Sequence, residues 1–171
     1  MYWLCSRLWP GEGLEMSALK AIPEDIHGVI PYLIVNGAAR AVDFYKKIFG
    51  AVEVMRIDMP DGRIGHAHLK IRDAHFMLAD EFPEMDIRSP QSIGGSPVSL
   101  LVYFEDADSV FAAAVSAGAT ILKPLQDQFY GDRSGSIIDP FGHKWTIATH
   151  KEDVSIGEIQ KRAGAMFGKN I

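Results

Sequence analysis

The chain repeats itself. Residues 34–51, Ile-Val-Asn-Gly-Ala-Ala-Arg-Ala-Val-Asp-Phe-Tyr-Lys-Lys-Ile-Phe-Gly-Ala, read as a strand end running into a helix, and residues 104–119 read the same way. In the first segment Ala38, Val42, Tyr45 and Phe49 are spaced by 4, 3 and 4 residues, and adding 69 to each gives Ala107, Phe111, Ala114 and Gly118. Such spacing puts one apolar stripe, of period about 3.6, on each helix. Each helix ends at a glycine, Gly50 or Gly118, followed by alanine and a β-rich run. Glycine past a helix end supplies a left-handed cap. Asn36 and Asp106 are the expected N-caps.

The repeat extends to the flanking strands. Val29–Val35 and Val98–Phe104 are expected to precede the two helices. Three strand-like runs follow the first helix: Val52–Met59, Ile64–Ile71 and Ala74–Asp80, with Asp61-Gly62 a hairpin signal. The second half offers Thr120–Leu125, a longer polar connection, Ser136–Ile138 and His143–Thr149, with Asp139-Pro-Phe-Gly142 as a tight turn. The chain therefore reads as an α+β fold of two βαβββ modules, residues 27–80 and 97–150, in one domain at 22–152. The linker Glu81–Ser96 is rich in Pro, Ser and Gly. A ferredoxin-like pairing of two βα units is disfavoured, because each helix is followed by three strands.

Residues 1–21 are expected to be an N-terminal extension, with Met16 a plainer start than Met1. Residues 153–171 are expected to be a helical tail, opened by a capping box at Ser155 and Glu158. Ile156, Ile159, Ala163, Met166 and Phe167 give the tail an apolar side.

Composition sets limits on function. With 47% apolar and 23% charged residues over 171 positions, the chain is globular rather than disordered. A formal charge of −5, and no Lys/Arg stripe with interleaved aromatics, argue against nucleic acid as a partner. The single cysteine, Cys5, allows no intrachain disulfide and no Cys-based zinc site, so a reducing cytoplasm is the default. No apolar run reaches the ~20 residues needed to span a bilayer as a helix.

Strand alternation places the candidate site. In Ile64–Ile71, Ala67, Leu69 and Ile71 share one face, and His66, His68 and Lys70 share the other. In His143–Thr149, Trp145 and Ile147 belong to the helix side, and Lys144, Thr146 and Ala148 to the opposite side. His75 and His150 are read as surface or capping residues. No phosphate loop, dinucleotide glycine fingerprint or nucleophile elbow is present.

The order of Pro31-Tyr-Leu-Ile-Val35, Phe44-Tyr-Lys-Lys-Ile-Phe-Gly50, Gly65-His-Ala-His-Leu-Lys-Ile71, Met77-Leu-Ala-Asp80, Gly94-Gly-Ser-Pro-Val98, Gly131-Asp-Arg133, Asp139-Pro-Phe-Gly-His143 and Thr149-His-Lys-Glu-Asp153 resembles the vicinal oxygen chelate superfamily. That superfamily contains glyoxalase I, bleomycin-resistance proteins and extradiol dioxygenases, and the details resemble its PhnB-like subgroup most closely. The resemblance spans roughly residues 22–165. It implies a cup-shaped mixed β-sheet whose concavity holds ligand or metal. The cup would be lined by Tyr32, Ile34, His66, His68, Ser99, Leu101 and Thr146. The aromatic, acidic and basic side chains of the loop Gln126–Arg133 suggest a lid over that cup, with Arg133 pairing with an anionic group or, alternatively, Asp132–Arg133 pinning the loop itself.

The family's four metal-ligand positions would fall at Ile30, His68, Ser99 and Thr146, of which His68 alone is a metal ligand of the usual type. The resemblance with these replacements implies a small-molecule-binding protein of the bleomycin-resistance type, without cofactor. The alternative is a lyase, isomerase or transferase of glyoxalase type, with Zn, Ni, Mn or Fe held by His66 and His68. No catalytic residue is assigned in either case. A homodimer is expected, because sheet edges are normally paired or covered and the tail stripe has nothing further in the chain to cover it.

Overall fold

The computed structural model describes residues 28–168, together with residues 21, 23 and 26. The expected extension therefore lies, except for residue 21, outside the described residues. The apolar stripe of Ala38–Phe49 forms helix α1, which buries Ala41, Val42, Tyr45 and Phe49 and closes on Gly50 at φ 64°. Lys46 and Lys47 sit in its last turn, where positive charge suits the helix dipole. The expected cap at Asn36 is replaced. Gly37 is the N-cap residue, at φ 93°, and Asp80 supplies the oxygen, accepting the amides of Gly37 at 2.9 Å and Ala38 at 2.8 Å. Asn36 donates instead to Glu81 Oε1 at 2.8 Å.

Helix α3, Ala107–Ser116, does take the expected cap, with Asp106 accepting Ser109 N at 3.0 Å. Its first amide, that of Ala107, donates to Thr149 Oγ1 at 2.9 Å. Thr149 lies 69 residues after Asp80, so the repeat carries the helix-start contacts as well as the buried stripe.

The first module contributes β1 (Tyr32–Val35), β2 (Val52–Asp58), β3 (Ile64–Ile71) and β4 (Ala74–Asp80), ordered β1-β4-β3-β2. The second contributes β5 (Ser99–Tyr103), β6 (Thr120–Asp127), β7 (Asp132–Ile138) and β8 (Lys144–His150), ordered β5-β8-β7-β6. In each, the first strand runs parallel to the last and the other pairs are antiparallel. The expected cup is thus two four-stranded sheets, not one continuous ladder. One apolar core joins the modules: the Phe49 ring centroid lies 4.8 Å from that of Trp145 and 6.0 Å from that of Phe104.

Two connections differ from expectation. The polar stretch 126–133 is mostly strand, since β6 runs to Asp127 and β7 begins at Asp132. What remains is a turn at 128–131, closed by Gln128 N donating to Asp132 O at 2.7 Å. Gly135 permits this close hairpin, because a Cβ there would stand 2.6 Å from Phe111 and 2.9 Å from the Leu125 backbone. The expected linker also folds: a 3-10 turn at Pro83–Met85 is framed by a Phe82–Ile87 bridge, and α2 (Pro90–Ile93) is capped by Ser89.

Helix α4, Ile156–Phe167, starts at Ser155, which accepts Glu158 N at 3.3 Å. Arg162 fastens it, donating to Glu152 at 2.9 Å and to the Phe129 carbonyl at 3.3 Å. Ile159 and Ala163 are half-buried, whereas Ile156 and Met166 are exposed. The Phe167 side chain lies outside what is described. No helix among the described residues is long and apolar enough to cross a membrane.

Candidate functional site

Each sheet packs one face on the core and leaves the other open. In the first module Ala67, Leu69, Phe76 and Leu78 are buried, which turns His66, His68, His75 and Met77 to the concave face. Leu33 and Val35 do the same on β1, turning Tyr32 and Ile34 to that face. Tyr32, Ile34, His66 and His68 are therefore brought together as expected. The Tyr32 hydroxyl lies 2.9 Å from His66 Nδ1. His68 is buried, and its Nε2 lies 2.8 Å from His75 Nδ1. Burial, and then the neighbouring His75 and His66, hold the His68 imidazole below the ordinary histidine range, so it is neutral at pH 7.

The folded linker completes a cavity here. Phe82, Met85 and Ile87 wall one side, and Tyr32, Ile34 and Met59 the other, around about 280 Å³. A second cavity, of about 190 Å³, lies across Tyr32 and Ile34 and is lined also by Arg88, Pro90 and His143. The sequence reading missed these linker residues. Their signal was the apolar trio Phe82, Met85 and Ile87 within a stretch judged by its Pro, Ser and Gly content.

Ser99, Leu101 and Thr146 sit on the concave face of the second module, where Leu101 pairs in register with Thr146 and Thr146 with Ser136. Ser136 Oγ and Thr146 Oγ1 are 2.9 Å apart. At the end of this face Asp132 is buried, accepting the Tyr103 hydroxyl at 2.7 Å and facing His150 Nδ1 at 2.8 Å. Arg133 does not join the site. It shares strand parity with Gly135 and Ile137, so it points to the helix side, where Nε donates to Asp108 Oδ2 at 2.7 Å and Nη1 to Asp127 Oδ1 at 3.2 Å. The reason is the early start of β7: alternation from Asp132 sends the carboxylate to the concave face and the guanidinium away from it.

A divalent ion of the family's type does not fit these residues. Ile30 offers no donor, Ser99 and Thr146 offer neutral hydroxyls, and His68 Nε2 is already engaged by His75. Among the described residues no three His, Cys, Asp or Glu side chains are grouped to hold a metal ion.

Two βαβββ modules around one core, each with an open concave face, define a two-module α+β class. The family model for the Glyoxalase/Bleomycin resistance protein/Dioxygenase superfamily matches residues 26–147, and the chain belongs to that superfamily. It is 44% identical over 133 residues to an uncharacterized protein of Mycobacterium bovis, covering 76% of this chain and 88% of that one. Among solved structures it is similar to protein PA1353 from Pseudomonas aeruginosa, with TM-score 0.62, 23% identity, and 74% of this chain and 100% of that one covered. It is also similar to a Bacillus cereus PhnB protein described as a putative 3-demethylubiquinone-9 3-methyltransferase, with TM-score 0.58 and 21% identity, covering 72% of this chain and 99% of that one.

Proposed function

We propose that this chain is a small-molecule-binding protein that holds its ligand on the concave face of the first module without a divalent metal. One observation carries the reading: the folded segment 82–87 walls an apolar cavity that Tyr32 also lines, with the Tyr32 hydroxyl paired to His66. Small-molecule sites are commonly apolar pockets with a few placed polar groups. The cavity suits a compact aromatic or alkyl body, with one oxygen or nitrogen function set against Tyr32 and His66. The single cysteine suits the reducing cytoplasm as the place of action.

A metal-dependent lyase, isomerase or transferase is the second reading, favoured by His66 and His68 sharing one strand face. It requires His68 to leave His75. Protein purified without chelator is expected to carry well under one equivalent of Zn, Ni, Mn or Fe, and chelation is expected to leave Tm unchanged, since a metal bound only to the native state would raise it. A stoichiometric metal, lost together with stability in His66→Ala or His68→Ala, overturns the metal-free reading.

The homodimer belongs to the same proposal. The edge strand β2 exposes Val52, Met55 and Ile57, and α4 exposes Ile156 and Met166. Symmetric dimers are the commonest soluble oligomers. Light scattering at micromolar concentration is expected to give about twice the 18.9 kDa chain mass, and the monomer mass would contradict it.

A further inference from the structure

We propose that the ligand of the first module is an amphipathic monoanion, an aryl or alkyl carboxylate whose apolar body fills the cavity walled by 82–87 and whose head meets Arg88. The proposal rests on ligand capture in that module and names the class of ligand. Tyr32 and Ile34 line both cavities, so the two volumes, of about 280 and 190 Å³, adjoin along β1. The folded linker passes from one to the other at consecutive residues: Ile87 lines the first and Arg88 the second. Together they fall in the roughly 300–1,000 Å³ range of small-molecule sites.

The two lobes differ in chemistry. Met59, Phe82, Met85 and Ile87 line the larger one, with no charged side chain among the described residues there. Arg88 is the one fixed charge among the described residues lining the smaller, and none of those lining either lobe is a carboxylate. The other polar groups of the smaller lobe are already engaged. His143 donates Nε2–H to the Ile34 carbonyl at 3.0 Å, and the Ser96 hydroxyl donates to Val98 O at 3.1 Å. Arg133, expected to meet an anionic group, is held by Asp108 and Asp127. An anion in these cavities therefore has Arg88 as its partner.

The Arg88 Nε donates to Asp86 Oδ1 at 2.9 Å, while its two terminal nitrogens have no partner among the described residues. The Asp86 side chain is almost fully exposed, so the pair is solvated and weak. The Asp86 backbone is fixed at φ 59° as the C-cap of the 3-10 turn, its amide donating to Pro83 O at 3.1 Å. Asp86 thus holds one edge of the guanidinium and leaves the other to a ligand. Two N–H groups on a planar fork match a planar carboxylate, and one positive charge matches a monoanion.

The full chain is titrated with the neutral dye N-phenyl-1-naphthylamine, which is then displaced by decanoate or by 1-decanol, equal in length and uncharged. Decanoate is expected to bind on the order of tenfold more tightly than decanol, against the net charge of −5 on the chain. Arg88→Gln is expected to remove that preference and to leave decanol binding unchanged. Arg88 makes one exposed ion pair, so the variant keeps the fold. Arg40→Gln on α1 removes the same charge from a residue that lines neither cavity, and the preference is expected to survive it. Equal binding of decanoate and decanol by the parent overturns the proposal, as does a preference that survives in Arg88→Gln. A preference lost equally in Arg40→Gln also overturns it, since net charge alone would then be acting. Failure of the parent to bind the neutral dye overturns ligand capture itself, and the proposal with it.

Discussion

Asp139→Ala is expected to destabilise the chain by roughly 3–5 kcal/mol, measured by urea unfolding. Asp139 is buried and accepts four hydrogen bonds: Tyr45 Oη at 2.7 Å, Trp145 Nε1 at 2.9 Å, and the amides of Phe141 and His143, each at 2.9 Å. Two of those donors lie at the junction of the modules, for Tyr45 belongs to α1 and Trp145 to β8. Truncation leaves the Tyr45 hydroxyl and the Trp145 indole N–H buried without an acceptor, each at about 1–3 kcal/mol. Burial, reinforced by the Asp139 charge, holds the Tyr45 phenol well above its ordinary range, so it stays a donor at every workable pH. Asp139→Asn keeps the shape and one acceptor oxygen while its NH2 only donates, so a smaller loss than for alanine is expected. The denaturant slope should stay constant, because the surface exposed on unfolding is unchanged. A loss below about 1 kcal/mol for Asp139→Ala would mean that the modules are held by the aromatic cluster alone.

Much of the architecture was legible because the chain states it twice. The strands Ile64–Ile71 and Ala74–Asp80 fall where alternation and the bounding turns put them. The stripe spacing placed α1 and α3, since a period near 3.6 holds whatever the tertiary context. The cap at Asp80 was not legible: it is a contact between positions 42 and 43 residues apart, and Asn36 satisfied the local rule equally well.

The candidate site was legible by face and not by neighbour. Tyr32, Ile34, His66 and His68 lie together because strand parity is a local property. Arg133 was misplaced because Asp132–Ser134 looked like loop, and one strand extension decides the face of every side chain in it. His75 follows a turn and His150 lies near the end of the domain, positions that read locally as surface or capping. Their partners, His68 and Asp132, come from adjacent strands, a pairing that sequence distance conceals. The cavity wall at 82–87 was hidden for a different reason: a 3-10 turn has no long period to read.

The central claim is ligand capture in the first module without metal, and Ile34→Trp tests it. Ile34 lies on β1 and lines both cavities on either side of it. An indole there fills the space that an apolar ligand would enter, without removing Tyr32 or His66. The measurement is a fluorescence titration with 1-anilinonaphthalene-8-sulfonate on protein stripped with EDTA. The parent chain is expected to bind the dye equally well before and after stripping, and Ile34→Trp to bind at least tenfold more weakly, a difference of about 1.4 kcal/mol. Dye binding that disappears on stripping and returns with Mn or Zn, or that is unchanged in Ile34→Trp, would contradict the account.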